Sequence, residues 1–324
     1  MRKATKVWHI LAFSLVLVGC IMFGGVMAVL SWDFSKLSTV RYETNRYELK
    51  EDFNNISIAA DTAHVEFVLA EDAKGSVVCY EPKNAAHSVA VQDGTLVVEV
   101  VDTRKWYEYI GIHFGTPKIT VTIPRSECGA LSVQTDTGDV KIPECFRFES
   151  IDVSVSTGHV TCLASAAGQI RIGTSTGDIH VEDVQADSLR LSVSTGRVVA
   201  RSVACAGDLA VRVSTGDTAL TDVACKSFAS TGNTGDFSLE NVIAADVFSI
   251  ERSTGDVRFE RCDAAEIFVK TDTGHVKGSL LSDKVFVAET DTGRVEVPKT
   301  TAGGRCEIHT DTGDIRIIID RDAK

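Results

Sequence analysis

From Phe53 onwards, apolar and polar residues alternate in short runs, and the runs recur at a nearly fixed distance. A Thr-Gly pair marks each recurrence, with its glycine at Gly138, Gly158, Gly177, Gly196, Gly216, Gly235, Gly255, Gly274, Gly293 and Gly313. The steps between these glycines are 20, 19, 19, 20, 19, 20, 19, 19 and 20 residues. Seven and five residues before the glycine stand apolar pairs such as Leu131 and Val133, Ile151 and Val153, or Leu189 and Leu191. Two and four residues after it stand Val140 and Ile142, Ile179 and Val181, or Val257 and Phe259. A third apolar point follows seven residues after, at Val184, Val203, Val223, Val242 and Cys262. Alternation with period two on both sides of a glycine predicts two short strands, each with one buried face, meeting at a corner. The glycine supplies a corner conformation that a side chain would oppose.

A unit of 19 or 20 residues cannot bury its own apolar face, but stacked units can. The pattern therefore predicts an all-β, single-chain parallel β-solenoid, each turn pairing with those above and below at about 4.8 Å. The threonine before each glycine, as at Thr137, Thr157 and Thr312, is expected to form a stacked hydroxyl ladder that satisfies backbone groups of the turn. The stretch Ile56 to Phe67 fits the repeat with Ala63 in the glycine place, and Val89 to Val100 reads as another turn around Gly94. Over about 101–122 the pattern loosens and aromatics gather at Trp106, Tyr107, Tyr109 and Phe114. That segment is expected to cap the N-terminal end as an aromatic plug, and any local ligand site would lie there.

The N-terminus has a different pattern. Val7 to Leu30 contains no Asp, Glu, Lys or Arg, and as a helix its 24 residues would span about 36 Å, enough for a bilayer core. Arg2, Lys3 and Lys6 precede it, which places the N-terminus in the cytoplasm and the rest outside. The expected organisation is a cytoplasmic stub 1–6, a transmembrane helix 7–30, a juxtamembrane stalk 31–52 and an extracytoplasmic solenoid 53–324. Two other readings stay open: Leu17-Val18-Gly19-Cys20 matches a lipoprotein box that would anchor the chain at Cys20, and a cleaved signal would place the solenoid on the same side.

A formal charge of −12 argues against nucleic acid as a partner. Asp136 and Asp311 each sit in Asp-Thr-Gly, the motif of aspartic protease dyads. Ten copies of Thr-Gly at constant spacing, many with Ser in place of Asp, make the motif structural and leave no catalytic candidate. Of nine cysteines, Cys162, Cys262 and Cys306 fall on inward positions and read as apolar core residues. Cys205 and Cys225 occupy equivalent places in neighbouring turns, as free thiols or as a disulfide. No Cys-x-x-Cys occurs, so neither a zinc site nor any cofactor is expected. The residue after each glycine reads Asp139, His159, Asp178, Arg197, Asp217, Asp236, Asp256, His275, Arg294 and Asp314. The basic members look placed to interrupt repulsion in the stack, so the solenoid is expected to need no metal; Asp217, Asp236 and Asp256 are the one acidic run where a weak cation could sit.

The Thr-Gly-Asp strand repeats, the preceding Ile119 to Pro124 strand and the single N-terminal anchor resemble the bacterial putative-adhesin family, a domain of unknown function. The resemblance covers about residues 53–320. It implies a β-helical cell-envelope protein with no catalytic residues to carry over. Three function classes follow. The first is a non-catalytic envelope protein, adhesin or scaffold. The second is a sensor or regulatory subunit acting on a membrane partner, for which Gly19, Gly24 and Gly25 could allow close helix contact. The third is a carbohydrate-active enzyme, disfavoured because turns without inserted loops build no cleft. An envelope polymer or a membrane protein is the expected partner.

Overall fold

The structure, a computed structural model, describes residues 2–37, 40–71, 74–103 and 115–321. An α-helix runs over Arg2–Val29, and its Lys6–Val29 portion is long and apolar enough to cross a membrane. The rest is a β-solenoid with two facing walls, one of 14 strands and one of 15. Each turn sends the strand before its glycine to the first wall and the strand after it to the second. In the Gly177 turn these are Gln169–Thr176 and Ile179–Glu182. Like residues stack: Ile170 lies between Ile151 and Leu189, and Ile179 between Val160 and Val198. The side chains that the alternation marks as inward fill one continuous core of Val, Ile, Leu, Phe, Ala and Cys.

The corner shows why glycine recurs. Gly177 has φ 138°, and a Cβ there would lie 2.0 Å from the carbonyl oxygen of Gly158 in the adjacent turn. Its N–H donates to the Thr195 carbonyl at 2.9 Å. Nine of the ten repeat glycines share this conformation, with φ between 131° and 158°. Gly293 does not, although a Cβ on it would still meet the Gly313 carbonyl at 2.1 Å.

A second corner explains the third apolar point. Asp183, Ser202, Asp222, Asn241 and Arg261, each six residues after a glycine, hold φ between 51° and 55°. A left-handed residue in a strand switches which side chains point inward. In Val198–Cys205 the buried positions are therefore Val198 and Ala200, then Val203 and Cys205.

Four expectations need correction. Residues 42–48 are not stalk: Tyr42–Glu48 is a strand paired antiparallel to Ser76–Pro82 in the 15-stranded wall. Gly94 does not make a solenoid turn. Ala85–Gln92 and Thr95–Asp102 form an antiparallel hairpin, because Asp93 (φ 48°) and Gly94 (φ 73°) close a two-residue loop with both residues left-handed. By contrast, Asn55–Thr62 and His64–Leu69 do stack as a turn, with Ile56 on Leu131 and Val65 on Val140. Of the expected cap, 118–122 belongs to the strand Lys118–Ile123, while Trp106, Tyr107, Tyr109 and Phe114 lie outside the described residues.

The third correction concerns order. The last turn, Gly304–Thr312 and Ile315–Ile319, does not stack at the end but lies between the Gly274 turn and the Gly293 turn. Gly304–Thr312 pairs with Glu266–Thr273 on one side and with Lys284–Thr292 on the other. The inserted turn, covered on both sides, buries Cys306, Ile308, Ile315 and Ile317, whereas the terminal Gly293 turn leaves Phe286 and Ala288 part-buried. That turn serves as the terminal cap.

The fourth concerns the hydroxyl ladder. The threonines next to the glycines are exposed at Thr137, Thr157 and Thr176. The hydroxyls that satisfy the corner lie three residues before the glycine, inside the wall. Thr174 donates to the Gly158 carbonyl at 3.2 Å, Thr310 to Gly274 at 3.1 Å and Thr290 to Gly313 at 3.0 Å.

Candidate functional site

The aspartates of the repeat are engaged in the fold. Asp136 and Asp311 are exposed, in one column but eight rungs apart, which at about 4.8 Å per rung is about 38 Å. Asp136 accepts from the Ser156 hydroxyl at 3.4 Å, and Asp311 lies 3.1 Å from His309 Nε2. They do not meet. In the column after the glycines, each Asp or His side chain accepts the backbone N–H of the next rung. Asp139 N–H donates to His64 Nδ1 (2.9 Å), His159 N–H to Asp139 (2.8 Å), Asp178 N–H to His159 Nδ1 (3.1 Å) and Arg197 N–H to Asp178 (2.8 Å). Arginine offers no acceptor, so the series stops at Arg197 and resumes with Asp217 accepting from Asp236 at 3.0 Å. It runs on through Asp256 and His275 to Asp314, and stops again at Arg294. The hydrogen bond from the Arg294 N–H and the Arg294 charge hold the Asp314 carboxyl below its usual range.

The acidic run Asp217, Asp236 and Asp256 has a cation behind it that the sequence did not disclose. Arg252 is 1% exposed and occupies the threonine column, three residues before Gly255. Its Nη2 donates to the Gly235 carbonyl at 2.9 Å and to Gly216 at 3.4 Å, the task of Thr174 elsewhere. The guanidinium also lies over the Phe237 ring, 5.4 Å from its centroid. Gly232, stacked below it, makes the room, since a Cβ there would lie 2.5 Å from Arg252 Nη1. Burial lowers the Arg252 pKa, while Asp217 and Asp236 oppose that shift. The signal was Gly and Arg on adjacent rungs of a column otherwise Thr or Val.

Two further places gather chemistry. On the outer face of the second wall, Arg258, Lys277 and Arg316 occupy successive rungs beside a groove of about 580 Å³, whose lining includes Phe259 and Gly278. Arg258 is 3.9 Å from the half-buried Asp256, and Arg316 is 3.4 Å from the exposed Glu296. In the N-terminal cap, Cys79 and Glu81 of Ser76–Pro82 face His87 of Ala85–Gln92. All three are buried, and a sulfur, a carboxylate oxygen and a ring nitrogen lie within 4.8 Å of one another. Glu81 Oε1 accepts from Asn45 Nδ2 at 2.7 Å, and Oε2 accepts the His87 N–H at 2.8 Å, with His87 Nδ1 against that same Oε2. The Tyr47 hydroxyl donates to the His87 carbonyl at 2.9 Å. Among the described residues, His87 Nε2 is buried without a partner. Spacing alone gave little sign of this group, because its members come from opposite walls.

All nine cysteines are free thiols, including Cys205 and Cys225 on neighbouring rungs. Burial pushes the thiols of Cys79, Cys162, Cys225 and Cys306 up to about 12, and those of Cys205 and Cys262 to about 11.

These features define a β-solenoid of glycine-cornered turns behind an apolar N-terminal helix. Within that class, the chain belongs to the Toastrack DUF4097 family, whose model matches residues 53–207 and 201–324. No curated protein matches it significantly. Among solved structures it is similar to a putative adhesin from Bacteroides fragilis, at 16% identity over 86% of this chain and 97% of that one, with TM-score 0.40. A putative adhesin from Parabacteroides distasonis is 12% identical over 87% and 98%, with TM-score 0.46. A putative lipid binding protein from the same species is 16% identical over 87% and 98%, with TM-score 0.44.

Proposed function

We propose that the chain is a membrane-anchored, extracytoplasmic β-solenoid that acts without catalysis, as a surface scaffold or adhesin. The observation that carries this reading is the joining of a membrane-length helix, Lys6–Val29, to a stack whose repeated carboxylates bond to the backbone of the next rung. Side chains committed to a ladder hold a rigid, repetitive surface. The Arg258, Lys277 and Arg316 groove is the surface we assign to an anionic envelope polymer, because three cations at rung spacing match a chain of regularly spaced negative charges.

Two measurements test this. In intact protoplasts, external protease should remove the region after Ser31, whereas protection of the solenoid with cleavage of the N-terminal stub reverses the orientation. Crosslinking on whole cells, followed by identification of the bound species, should recover an anionic wall polymer. Recovery of one membrane protein instead would replace the adhesin reading by a sensor or regulatory subunit.

A further inference from the structure

We propose that Cys79, Glu81 and His87 form a binding site for a zinc-class divalent transition-metal ion in the N-terminal cap. The three donors converge across the interior from two walls, within 4.8 Å of one another. Thiolate, imidazole and carboxylate together are the donor set that zinc takes. The orienting contacts are already present: Asn45 holds the second Glu81 oxygen at 2.7 Å, and Tyr47 holds the His87 backbone at 2.9 Å.

Three observations separate this group from a core ion pair. His87 is 5% exposed, yet its Nε2 has no partner among the described residues, a state that costs about 1–3 kcal/mol unless a ligand uses the ring. His87 also lines a cavity of about 250 Å³, with Tyr42, Ala85 and Val100, which leaves space beside the imidazole for a further ligand. Charge is the third. A dication with one thiolate, one carboxylate and a neutral imidazole sums to zero, which suits a site closed off from water. Zinc-class ions take thiolate and release its proton, so binding should weaken as the pH falls.

The contrast with the body of the solenoid is instructive. Cys162 is equally buried, but its sulfur donates to the Ala164 carbonyl at 3.5 Å, and among the described residues it belongs to no cluster of three metal-ligating side chains. It serves as the internal control.

The test uses the full chain in detergent, reduced with a non-thiol reagent and titrated with cobalt(II). The expected result is one equivalent bound, with a thiolate-to-cobalt charge-transfer band that zinc abolishes. Cys79→Val should remove the band, Cys162→Val should keep it, and His87→Gln should weaken binding at least tenfold. Absence of a band in the unsubstituted protein overturns the proposal, whatever the variants do. So does a band that survives Cys79→Val, since the thiolate would then come from another cysteine. Neither result bears on the adhesin reading, which rests on the anchor and the outer surface.

Discussion

The body and the N-terminal cap of this molecule bury charge in opposite ways. In the body, Arg252 fills the space left by Gly232 and donates to two glycine carbonyls, so the charge replaces a threonine in an existing ladder. In the cap, Glu81 and His87 are held by Asn45 and by each other; among the described residues His87 Nε2 meets no partner, as is also true of Arg252 Nε and Nη1. The difference follows from pairing. The body is a parallel stack in which every rung inherits the geometry of the one before. The cap contains the antiparallel pairs Tyr42–Glu48 with Ser76–Pro82 and Ala85–Gln92 with Thr95–Asp102, which inherit nothing from the repeat. At this repeated position Arg252 makes the corner bonds that threonine makes on some rungs and that Val155, Val193 and Val213 do not. An unrepeated cap is free to build a site.

That contrast can be broken by experiment. Val257 is fully buried in the body, and Val257→Asp puts an unpaired charge among stacked aliphatics. The expected cost is about 4 kcal/mol or more, read by denaturant titration, with proteolysis starting in the Gly235 to Gly274 turns before the cap. Arg252→Ala should cost about 3 kcal/mol through the void above Gly232, while Arg252→Met should cost about 1 kcal/mol. Equal costs for the two would mean that the bonds to Gly216 and Gly235 outweigh the filled volume.

Alkaline pH probes the buried thiols. Their folded-state pKa values of about 11 to 12 exceed the ordinary value of 9.0, so above pH 9 the unfolded chain ionises first and holds fewer protons. Stability is fully present below pH 9 and falls as pH rises towards 12, by about 1.4 kcal/mol per unit for each thiol. Cys162→Val should flatten the slope of unfolding free energy against pH between 9 and 11 by that share.

Smaller still, Thr310→Val removes the donor to the Gly274 carbonyl and should cost about 1 kcal/mol in the same titration. Asp136→Asn with Asp311→Asn should change stability by less than about 0.5 kcal/mol, since both are exposed and lie outside the glycine-following ladder. A loss of several kcal/mol would give those carboxylates a structural role that their exposure denies.

Much of the body was legible. Residues such as Ile170, Leu189 and Val198 reveal inward faces by alternation, because strand side chains have period two and the turn length hardly varies. The left-handed residues at Asp183, Asp222 and Asn241 were present as an unexplained third apolar point, legible as a pattern but not as a cause. The Asp93-Gly94 loop could have been read as a hairpin from its two letters, but the surrounding period led to another turn being expected there. The Cys79, Glu81 and His87 group was hidden more deeply. Cys79 and Glu81 share a face two residues apart, yet nothing local says that His87 crosses from the other wall to meet them.

Sequence by itself determined the repeat, the two walls, the corner glycines and the apolar span at the N-terminus. Each depends on local periodicity, chain length or a single forbidden Cβ. Tertiary structure alone decided which rungs are neighbours. The last turn slides inside the one before it, so that Ile308, Ile315 and Ile317 are covered on two sides while Phe286 and Ala288 lie at the open end. The same rule places Arg252 above Gly232: the sequence separates them by a full turn, and only stacking turns a missing side chain into room for a charge.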